Sequence, residues 1–349
     1  MNELMNIKIF QKNLIKWYHE YGRDLPWRQT KDPYAIWVSE IMLQQTQVDT
    51  VKPYYLRFMN TLPNVKSLAE ADEDTAFKLW EGLGYYRRIR HMQEAAQYIM
   101  EQYDGIFPNR FEDILNLKGI GNYTASAISS IAFGNEKGVI DGNTLRILSR
   151  IYNRQDNIAL ERTKKTYQGM IDELIAGTDP SAFNQGMMDL GATICTPRHP
   201  KCEKCPVKEL CEAYASGTAC ILPVNIKNTS KTDVYYITAI LKKGDRYFLL
   251  KNEEGLLQNL YAFPQYEVES PLSFEESFYD EHGLSVRLYE YCKEIKHVFS
   301  HRIWHMNVYM GEIIESENVP DKHLYNEYEL EDLPISTAHR KVYELRNIL

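Results

Sequence analysis

Residues 111–134 read FEDILNLKGIGNYTASAISSIAFG, a helical run, a short glycine-containing turn and a second helical run. The turn is 118–121, and its two glycines, two residues apart, allow positive φ and close approach of the backbone to another molecule. The N–H groups at the start of the second helix then point outward as an anion site. Such a turn can hold a nucleic-acid phosphate without sequence preference. For Gly-Ile-Gly alone, an ordinary tight turn between helices is the competing interpretation.

Helical periodicity extends on both sides of this segment, through about residue 215. The run from Ala35 is predicted to continue as helix until Pro53. After Pro223 the pattern becomes β-rich, with a hairpin turn predicted at 242–245 and period-two alternation over 304–310. Polar residues 223–232 indicate a linker. The chain is therefore predicted to join an all-α domain, 1–222, to a smaller α+β domain, 233–349.

Composition bounds the class of protein without deciding its function. The 349 residues carry a net charge of −8. Residues 1–222 hold 26 Lys and Arg against 27 Asp and Glu, a net of −1, which leaves 14 against 21, a net of −7, for residues 223–349. A nearly neutral first part can still present a basic face to nucleic acid. No apolar run approaches the roughly 18 residues of a membrane span, and the N-terminal residues show no signal-peptide core. We expect no membrane partner and a reducing, cytoplasmic location.

Four of the six cysteines lie within residues 195–211, CTPRHPKCEKCPVKELC. Clustered cysteines in a reducing compartment favour a metal over disulfides. Structural zinc sites usually use two separated pairs of ligands, whereas only one C-x2-C is present here. Compact four-thiolate loops suit iron–sulfur clusters. The spacing of Cys195, Cys202, Cys205 and Cys211 favours a 4Fe–4S cluster, with zinc as the alternative.

Two carboxylates are candidate catalytic residues because of their neighbours in the sequence. Glu40 has helical neighbours such as Ile36, Trp37 and Leu43, so burial should raise its pKa and keep it protonated near neutral pH. Such a residue is either a satisfied buried glutamate or a proton donor. Asp141 precedes a predicted helix, where it either caps the N-terminus or has a catalytic role.

Five motifs in one order make the chain resemble the helix-hairpin-helix DNA glycosylases. They are WVSEIMLQQTQV (37–48), GLGYYRRIR (82–90), LKGIGNYTA (117–125), VIDGN (139–143) and the cysteine loop (195–211). Within that superfamily the whole chain is most similar to the MutY-type adenine DNA glycosylases. The resemblance implies a helical glycosylase domain closed by a 4Fe–4S loop and a C-terminal Nudix-like domain that recognises 8-oxoguanine. Double-stranded DNA with adenine opposite 8-oxoguanine or guanine would be the partner of a monomeric enzyme.

The resemblance also implies roles for the catalytic residues. Glu40 matches the general acid that protonates adenine, and Asp141 the carboxylate that stabilises positive charge on the sugar. Asn143 matches the hydrogen-bond partner of Asp141. Tyr123 stands where the related endonuclease III-like glycosylase/lyases have a lysine that forms a Schiff base. The resemblance therefore implies a monofunctional glycosylase that uses water and leaves the strand intact.

Further residues match the family's DNA and lesion contacts. Gln45 and Tyr85 match residues that wedge into the duplex beside the oxidised guanine, and Leu43 matches a residue near the flipped adenine. Trp27 and Arg28 match the adenine pocket. The hairpin at about 111–131 implies phosphate contacts, and 299–301 resembles the loop that reads 8-oxoguanine, although an ordinary loop is the local alternative. The predicted phosphate contacts are Lys118, Gly119 and Gly121. The predicted 8-oxoguanine contacts are Phe299, Ser300 and His301.

Departures from the family pattern limit the second domain. Residues 274–284, FEESFYDEHGL, lack the paired acids of a Nudix catalytic box, so this domain is interpreted as a recognition module without hydrolase activity. Lys118 replaces the usual proline of the hairpin turn. The competing functions are a glycosylase/lyase for oxidised pyrimidines, a non-catalytic iron–sulfur DNA-binding protein, and a nucleotide hydrolase. Tyr123 argues against the glycosylase/lyase, and the presence of both Glu40 and Asp141 argues against the non-catalytic protein. The degenerate box argues against the nucleotide hydrolase.

Overall fold

A computed structural model describes residues 3–226, 231–253, 257–299, 301–314 and 319–345. Ser300, one of the predicted lesion contacts, lies outside them. The chain forms two compact units, the first of residues 1–70 and 91–227 and the second of 71–90 and 228–349. The sequence boundary near 222 assigns 71–90 to the helical domain, whereas its contacts group it with the C-terminal residues. Within the described ranges, no helix is both long and apolar enough to cross a membrane.

The first unit is helical, as predicted. Its core joins α1 to α9–α11 around residues such as Phe10, Leu148 and Phe183, and α2 packs on α8. The helices are α1 Glu3–Tyr21, α2 Pro33–Leu43, α3 Val48–Thr61, α4 Val65–Glu70, α6 Arg87–Gln102 (which begins in the second unit), α7 Phe111–Leu115, α8 Asn122–Phe133, α9 Gly142–Ile151, α10 Glu161–Ile175, α11 Pro180–Asp189 and α12 Glu212–Ala215. A π-helical turn, Leu190–Ile194, leads from α11 into the cysteine loop.

The prediction of one helix from Ala35 to Pro53 is wrong. α2 ends at Leu43, the chain turns at Gln45 with φ 59°, and α3 starts at Val48 with Pro53 inside it. Burial explains the break. Every residue of α2 from Tyr34 to Met42 is buried, whereas α3 buries only one stripe. A single straight helix cannot run through the core and along the surface, so the chain changes direction between them.

The second unit is a mixed sheet with helices, which confirms the α+β prediction. The sheet order is β6-β7-β1-β2-β8, with β7 parallel to β1, antiparallel to β6, and β5 also paired with β1. The strands are β1 Thr232–Lys243, β2 Arg246–Phe248, β3 Leu250–Lys251, β4 Tyr261–Ala262, β5 Gln265–Tyr266, β6 Val286–Val298, β7 Arg302–Ile313 and β8 Leu324–Tyr325. The helices are α5 Glu73–Trp80, α13 Pro271–His282, α14 Glu327–Asp332 and α15 Thr337–Glu344.

Two local predictions for this unit are confirmed. The turn at 242–245 joins β1 to β2, with Lys242 opposite Tyr247. The alternating residues of β7 place Trp304, Met306 and Val308 in the core while their neighbours are partly exposed. The period of two thus identifies the buried face of the strand.

Candidate active site

One cavity in the first unit collects residues that are far apart in the sequence. Its volume is about 450 Å³, part of which is open to solvent. Five predicted site residues line it, namely Trp27, Arg28, Glu40, Leu43 and Tyr123. Sequence analysis missed the rest of the lining, which is Arg23, Leu25, Ile36, Ser39, Val48, Ile131, Gln185 and Met188. Most of these are apolar or isolated polar side chains, and only the folded chain brings them together.

Glu40 is the buried acid of this cavity. It lies in the buried stretch of α2 with only 4% of its surface exposed, and its Oε2 has no hydrogen-bond partner among the described residues. Burial raises its pKa to about 7, with a further increase from Asp141 and partial opposition from a hydrogen bond with Tyr123 and from Arg28. Near neutral pH a substantial fraction of Glu40 therefore holds a proton, as its apolar neighbours predict.

Tyr123 follows the first residue of α8 and faces Glu40. Burial, together with the negative charges of Glu40 and Asp141, raises the pKa of its phenol well above the usual range. The hydroxyl therefore stays protonated and can donate a hydrogen bond. Gln44 also reaches α8 beside it, since its amide nitrogen donates to Thr124 Oγ1 at 3.3 Å. The helix start thus positions a neutral donor next to the buried acid.

Asp141 caps helix α9, and its carboxylate receives two donors. The backbone N–H of Thr144 donates to Oδ1 at 2.7 Å, and Asn143 Nδ2 donates to Oδ2 at 2.9 Å. The positive end of the helix adds to the stabilisation of negative charge. Capping and the predicted catalytic role are compatible, since both need an ionised carboxylate in a fixed orientation. The hydrogen bond to Asn143 is the one that the resemblance implies.

Arg28 is held by a carboxylate that sequence analysis missed. Its guanidinium donates to both oxygens of Asp189 at 2.6 and 2.7 Å, and Arg23 adds a second ion pair at 2.7 Å. Asp189 is fully buried, and these arginines lower its pKa although burial alone would raise it. The charged network forms one wall of the cavity and fixes the 3-10 turn that carries Trp27. The sequence did contain a signal for Asp189, because it is an aspartate within the apolar run GMMDLG.

The hairpin joins α7 to α8 and exposes its turn. Gly119 has φ 77°, and a Cβ there would lie 2.6 Å from the Cβ of His91, so glycine is required for both conformation and space. Gly121 has φ −102° and is the N-cap of α8, so only the first glycine has the positive φ expected of both. Lys118 is exposed and pairs with Glu94 at 3.4 Å.

Two arginines of α9 connect the active-site helix to the cysteine loop. Arg146 donates to Asn143 Oδ1 at 2.9 Å and to the carbonyl oxygen of Cys195 at 2.7 Å. The fully buried Arg150 donates to Cys195 Sγ at 3.2 Å and to the carbonyls of Thr196 and Pro197. Sequence analysis missed both, although two arginines four residues apart in the apolar helix NTLRILSRI are unusual enough to notice.

The four clustered cysteines surround a second cavity, of about 400 Å³ of non-atom space with largely apolar walls. None of them forms a disulfide. A single tetrahedral Zn²⁺ would need its sulfurs about 3.8 Å apart, from a Zn–S distance of about 2.3 Å. Within the described part of the chain, no three Cys, His, Asp or Glu side chains group closely enough for one metal ion. All four cysteines line this one cavity, an arrangement that suits a 4Fe–4S cluster because that cluster takes four thiolate ligands.

The remaining predicted lesion residues are Gln45 and Tyr85, both of which are exposed, and the residues at 299–301. Gln45 in the first unit and Tyr85 in the second both have positive φ, 59° and 50°. Phe299 packs against His297 and Trp304, with ring centroids 4.6 and 4.7 Å apart, so the start of its loop is anchored to the sheet. His301, which follows Ser300, is exposed.

Comparison with protein families agrees with the fold and the cysteine loop. The HhH-GPD superfamily of base excision DNA repair proteins matches residues 38–172, and the NUDIX domain matches residues 236–345. The iron–sulfur binding domain of endonuclease III matches residues 195–211. The last match covers the four cysteines that surround the second cavity.

Curated relatives and solved structures extend the comparison to most of the chain. The adenine DNA glycosylase of Buchnera aphidicola subsp. Baizongia pistaciae is 35% identical and covers 87% of this chain and 86% of its own length. That of Rattus norvegicus is 31% identical, over 99% of this chain and 79% of its own. A thermostable thymine-DNA glycosylase is 31% identical, with a TM-score of 0.56 over 61% of this chain and 98% of that chain. The protein belongs to the adenine DNA glycosylase family, DNA-binding base excision repair enzymes with a 4Fe–4S loop and here a C-terminal Nudix-like domain.

Proposed function

We propose that the enzyme hydrolyses the N-glycosidic bond of adenine paired with 8-oxoguanine, or with guanine, in double-stranded DNA. The observation that carries this proposal is the pair of carboxyl groups with different environments. Glu40 is buried with a pKa of about 7, whereas Asp141 lies at a helix N-terminus with two hydrogen-bond donors. Separate acid and anion roles for two carboxyl groups follow from such a difference.

The two groups suit a stepwise loss of the base. Adenine must leave the base stack to enter the cavity. Glu40 donates its proton to a ring nitrogen, and the C1′–N bond breaks with its electron pair moving to the adenine. The carboxylate of Asp141 stabilises the positive charge that grows on the sugar. A water oxygen then bonds to C1′, and its proton returns to Glu40, which restores the starting state.

Tyr123 supports hydrolysis without strand cleavage. A lyase needs an amine that attacks C1′ to form a Schiff base, and a phenol cannot form one. Its hydroxyl instead stays protonated beside Glu40, because burial and the nearby negative charge raise its pKa. Asn143 holds Asp141, while Trp27, Arg28 and Leu43 form the wall against which the base packs. The product is an abasic site in an intact strand.

Recognition of the opposite base is proposed for Gln45, Tyr85 and the residues at 299–301. Gln45 and Tyr85 are non-glycine residues with positive φ, a strained conformation that clusters at functional sites. They wedge into the duplex beside the oxidised guanine. Phe299, Ser300 and His301 read that base, and the packing of Phe299 on Trp304 supports a fixed position for the Phe299 ring.

The proposal also covers DNA phosphate contacts, the role of the cluster, and the oligomeric state and location of the enzyme. The exposed hairpin turn with Lys118, Gly119 and Gly121 presents the N-terminus of α8 to a phosphate. Cys195, Cys202, Cys205 and Cys211 would hold the cluster, which would cross-link residues 195–211 and take no part in hydrolysis. The enzyme acts as a monomer in the cytoplasm, at the nucleoid if it is bacterial.

The test uses three duplexes, with adenine opposite 8-oxoguanine, adenine opposite guanine, and an oxidised pyrimidine, each analysed with and without hot alkali. We expect adenine release from the first two and strand breaks only after alkali. Breaks at the pyrimidine without alkali would instead identify a glycosylase/lyase. Binding without base release on all three would leave a non-catalytic DNA-binding protein.

A single variant tests the anion role. Asp141→Asn keeps an acceptor for Thr144 but removes the charge, so base release should fall below detection while duplex binding changes little. Undiminished release by this variant would remove Asp141 from the mechanism.

A further inference from the structure

Residues 71–90 pack with the C-terminal residues of the chain. They comprise α5, a turn over 81–86 and the start of α6. The turn contains Gly82 and Gly84 with φ 95° and 70°, followed by Tyr85 with φ 50°. Glycine adopts positive φ without strain, so Tyr85 is the strained residue of this turn, and such a conformation persists only where neighbouring structure holds it.

The upstream end of this turn is held by Arg340 of α15. Its Nε donates to Oε1 of Glu81, the C-cap residue that follows α5. The same guanidinium donates to the carbonyl oxygens of Leu330 and Leu333 at 3.3 and 3.1 Å. Both partners of the ion pair are largely buried, with side chains 22% and 15% exposed. Arg340 therefore joins the end of α5 to the end of α14 through one rigid, multiply bonded group.

The downstream end of the turn is held independently. Arg90 donates through Nη1 to Oε1 of Gln258 and through Nη2 to the carbonyl oxygen of Gln258 at 3.0 Å. Further back, Lys251 pairs with Asp74 at 2.8 Å. The turn that carries Tyr85 is thus fastened on both sides by residues of the second unit.

We propose that Arg340 is a positioning residue for recognition of the base opposite adenine. Through Glu81 it holds the turn that presents Tyr85, so that Tyr85 and the loop that starts at Phe299 belong to one compact unit. The inference rests on the proposed wedge role of Tyr85. Arg340 itself touches neither DNA nor the reacting atoms, and it acts by keeping the Tyr85 turn in its strained shape.

The experiment compares the full-length enzyme with Arg340→Ala in single-turnover adenine release opposite 8-oxoguanine and opposite guanine. Loss of a charge-assisted hydrogen bond should lower the preference for 8-oxoguanine about tenfold, mainly by slowing release opposite 8-oxoguanine. Glu81→Gln should lower the same preference. Because the two changes share the Arg340–Glu81 bond, while Glu81 also pairs with Lys78 and Arg340 also donates to two carbonyls, the double variant should lose less preference than the sum of the two single losses. Arg340→Lys, which keeps the charge but not the planar fork, should fall between.

Arg246→Ala is the matched control. Arg246 also pairs with an acid, Asp321 at 2.9 Å, and donates to a backbone carbonyl in the second unit, but these contacts lie outside residues 71–90. It should leave the preference unchanged. An equal fall in release from both duplexes in Arg340→Ala, or an unchanged preference, would overturn the positioning role. A wild-type enzyme without any preference for 8-oxoguanine would refute the proposed function instead.

Discussion

Replacing Glu40 by glutamine should abolish base release and yet stabilise the enzyme at pH 8. The side chain is buried on α2, and burial raises the pKa of its carboxyl to about 7 from an ordinary value of 4.5. In the unfolded chain the carboxyl ionises at the ordinary value. Each pKa unit corresponds to about 1.4 kcal/mol, so the difference destabilises the folded enzyme by roughly 3 kcal/mol at high pH.

The sign follows from proton binding. Between about pH 4.5 and pH 7 the folded enzyme keeps a proton on Glu40 that the unfolded chain has released, so stability decreases as pH rises through this window. Glutamine has no charge at any pH and removes this dependence. The stabilisation from Glu40→Gln should be about 3 kcal/mol at pH 8 and about 1 kcal/mol at pH 5.

Thermal unfolding of the two proteins at both pH values measures the effect. A helical unit of this size shifts its melting temperature by about 2–4 °C per kcal/mol, so the advantage of the variant should be roughly 4–8 °C larger at pH 8 than at pH 5. Glu101→Gln, which changes an exposed glutamate on α6, is the control and should show no such difference. The reasoning would be refuted by a variant whose advantage over the wild type is the same at both pH values.

Three further outcomes are expected from the structure. Gly119→Ala should lower the free energy of unfolding in urea by more than 1 kcal/mol, because φ is positive there and the space for a Cβ is filled. Gly121→Ala, with no atom within 4 Å of its added Cβ, should lower it far less. Similar losses in the two variants would contradict this account of the turn. Arg28→Ala should destabilise the first unit by about 3–5 kcal/mol because it removes the main partner of the buried Asp189 charge. A melting curve like that of the wild type would show that Arg23 alone is enough to stabilise this charge. Arg150→Met should lower the iron content and visible absorbance of the purified protein severalfold, since Arg150 donates to three carbonyls and one sulfur of the cysteine loop. Full iron content in this variant would show that the cysteines alone order the loop.

Local patterns identified a large part of this protein. Alternation along β7 located its buried face, and the apolar neighbours of Glu40 predicted its burial and raised pKa. These inferences hold because they depend on residues two to four positions apart, which secondary structure brings together at once. The one long helix predicted through Gln45 fails because continuous periodicity does not show which faces the rest of the chain will bury.

The sequence by itself determined the helical and mixed domains, the cysteine cluster and, through the order of five motifs, the family. Tertiary structure decided what surrounds the reacting groups. Asp189 became the partner of Arg28, Arg146 and Arg150 came to join α9 to the cysteine loop, and residues 71–90 became part of the second unit through Arg340. These contacts join residues dozens to hundreds of positions apart, and their energies depend on burial and hydrogen-bond geometry that exist only once the chain has folded.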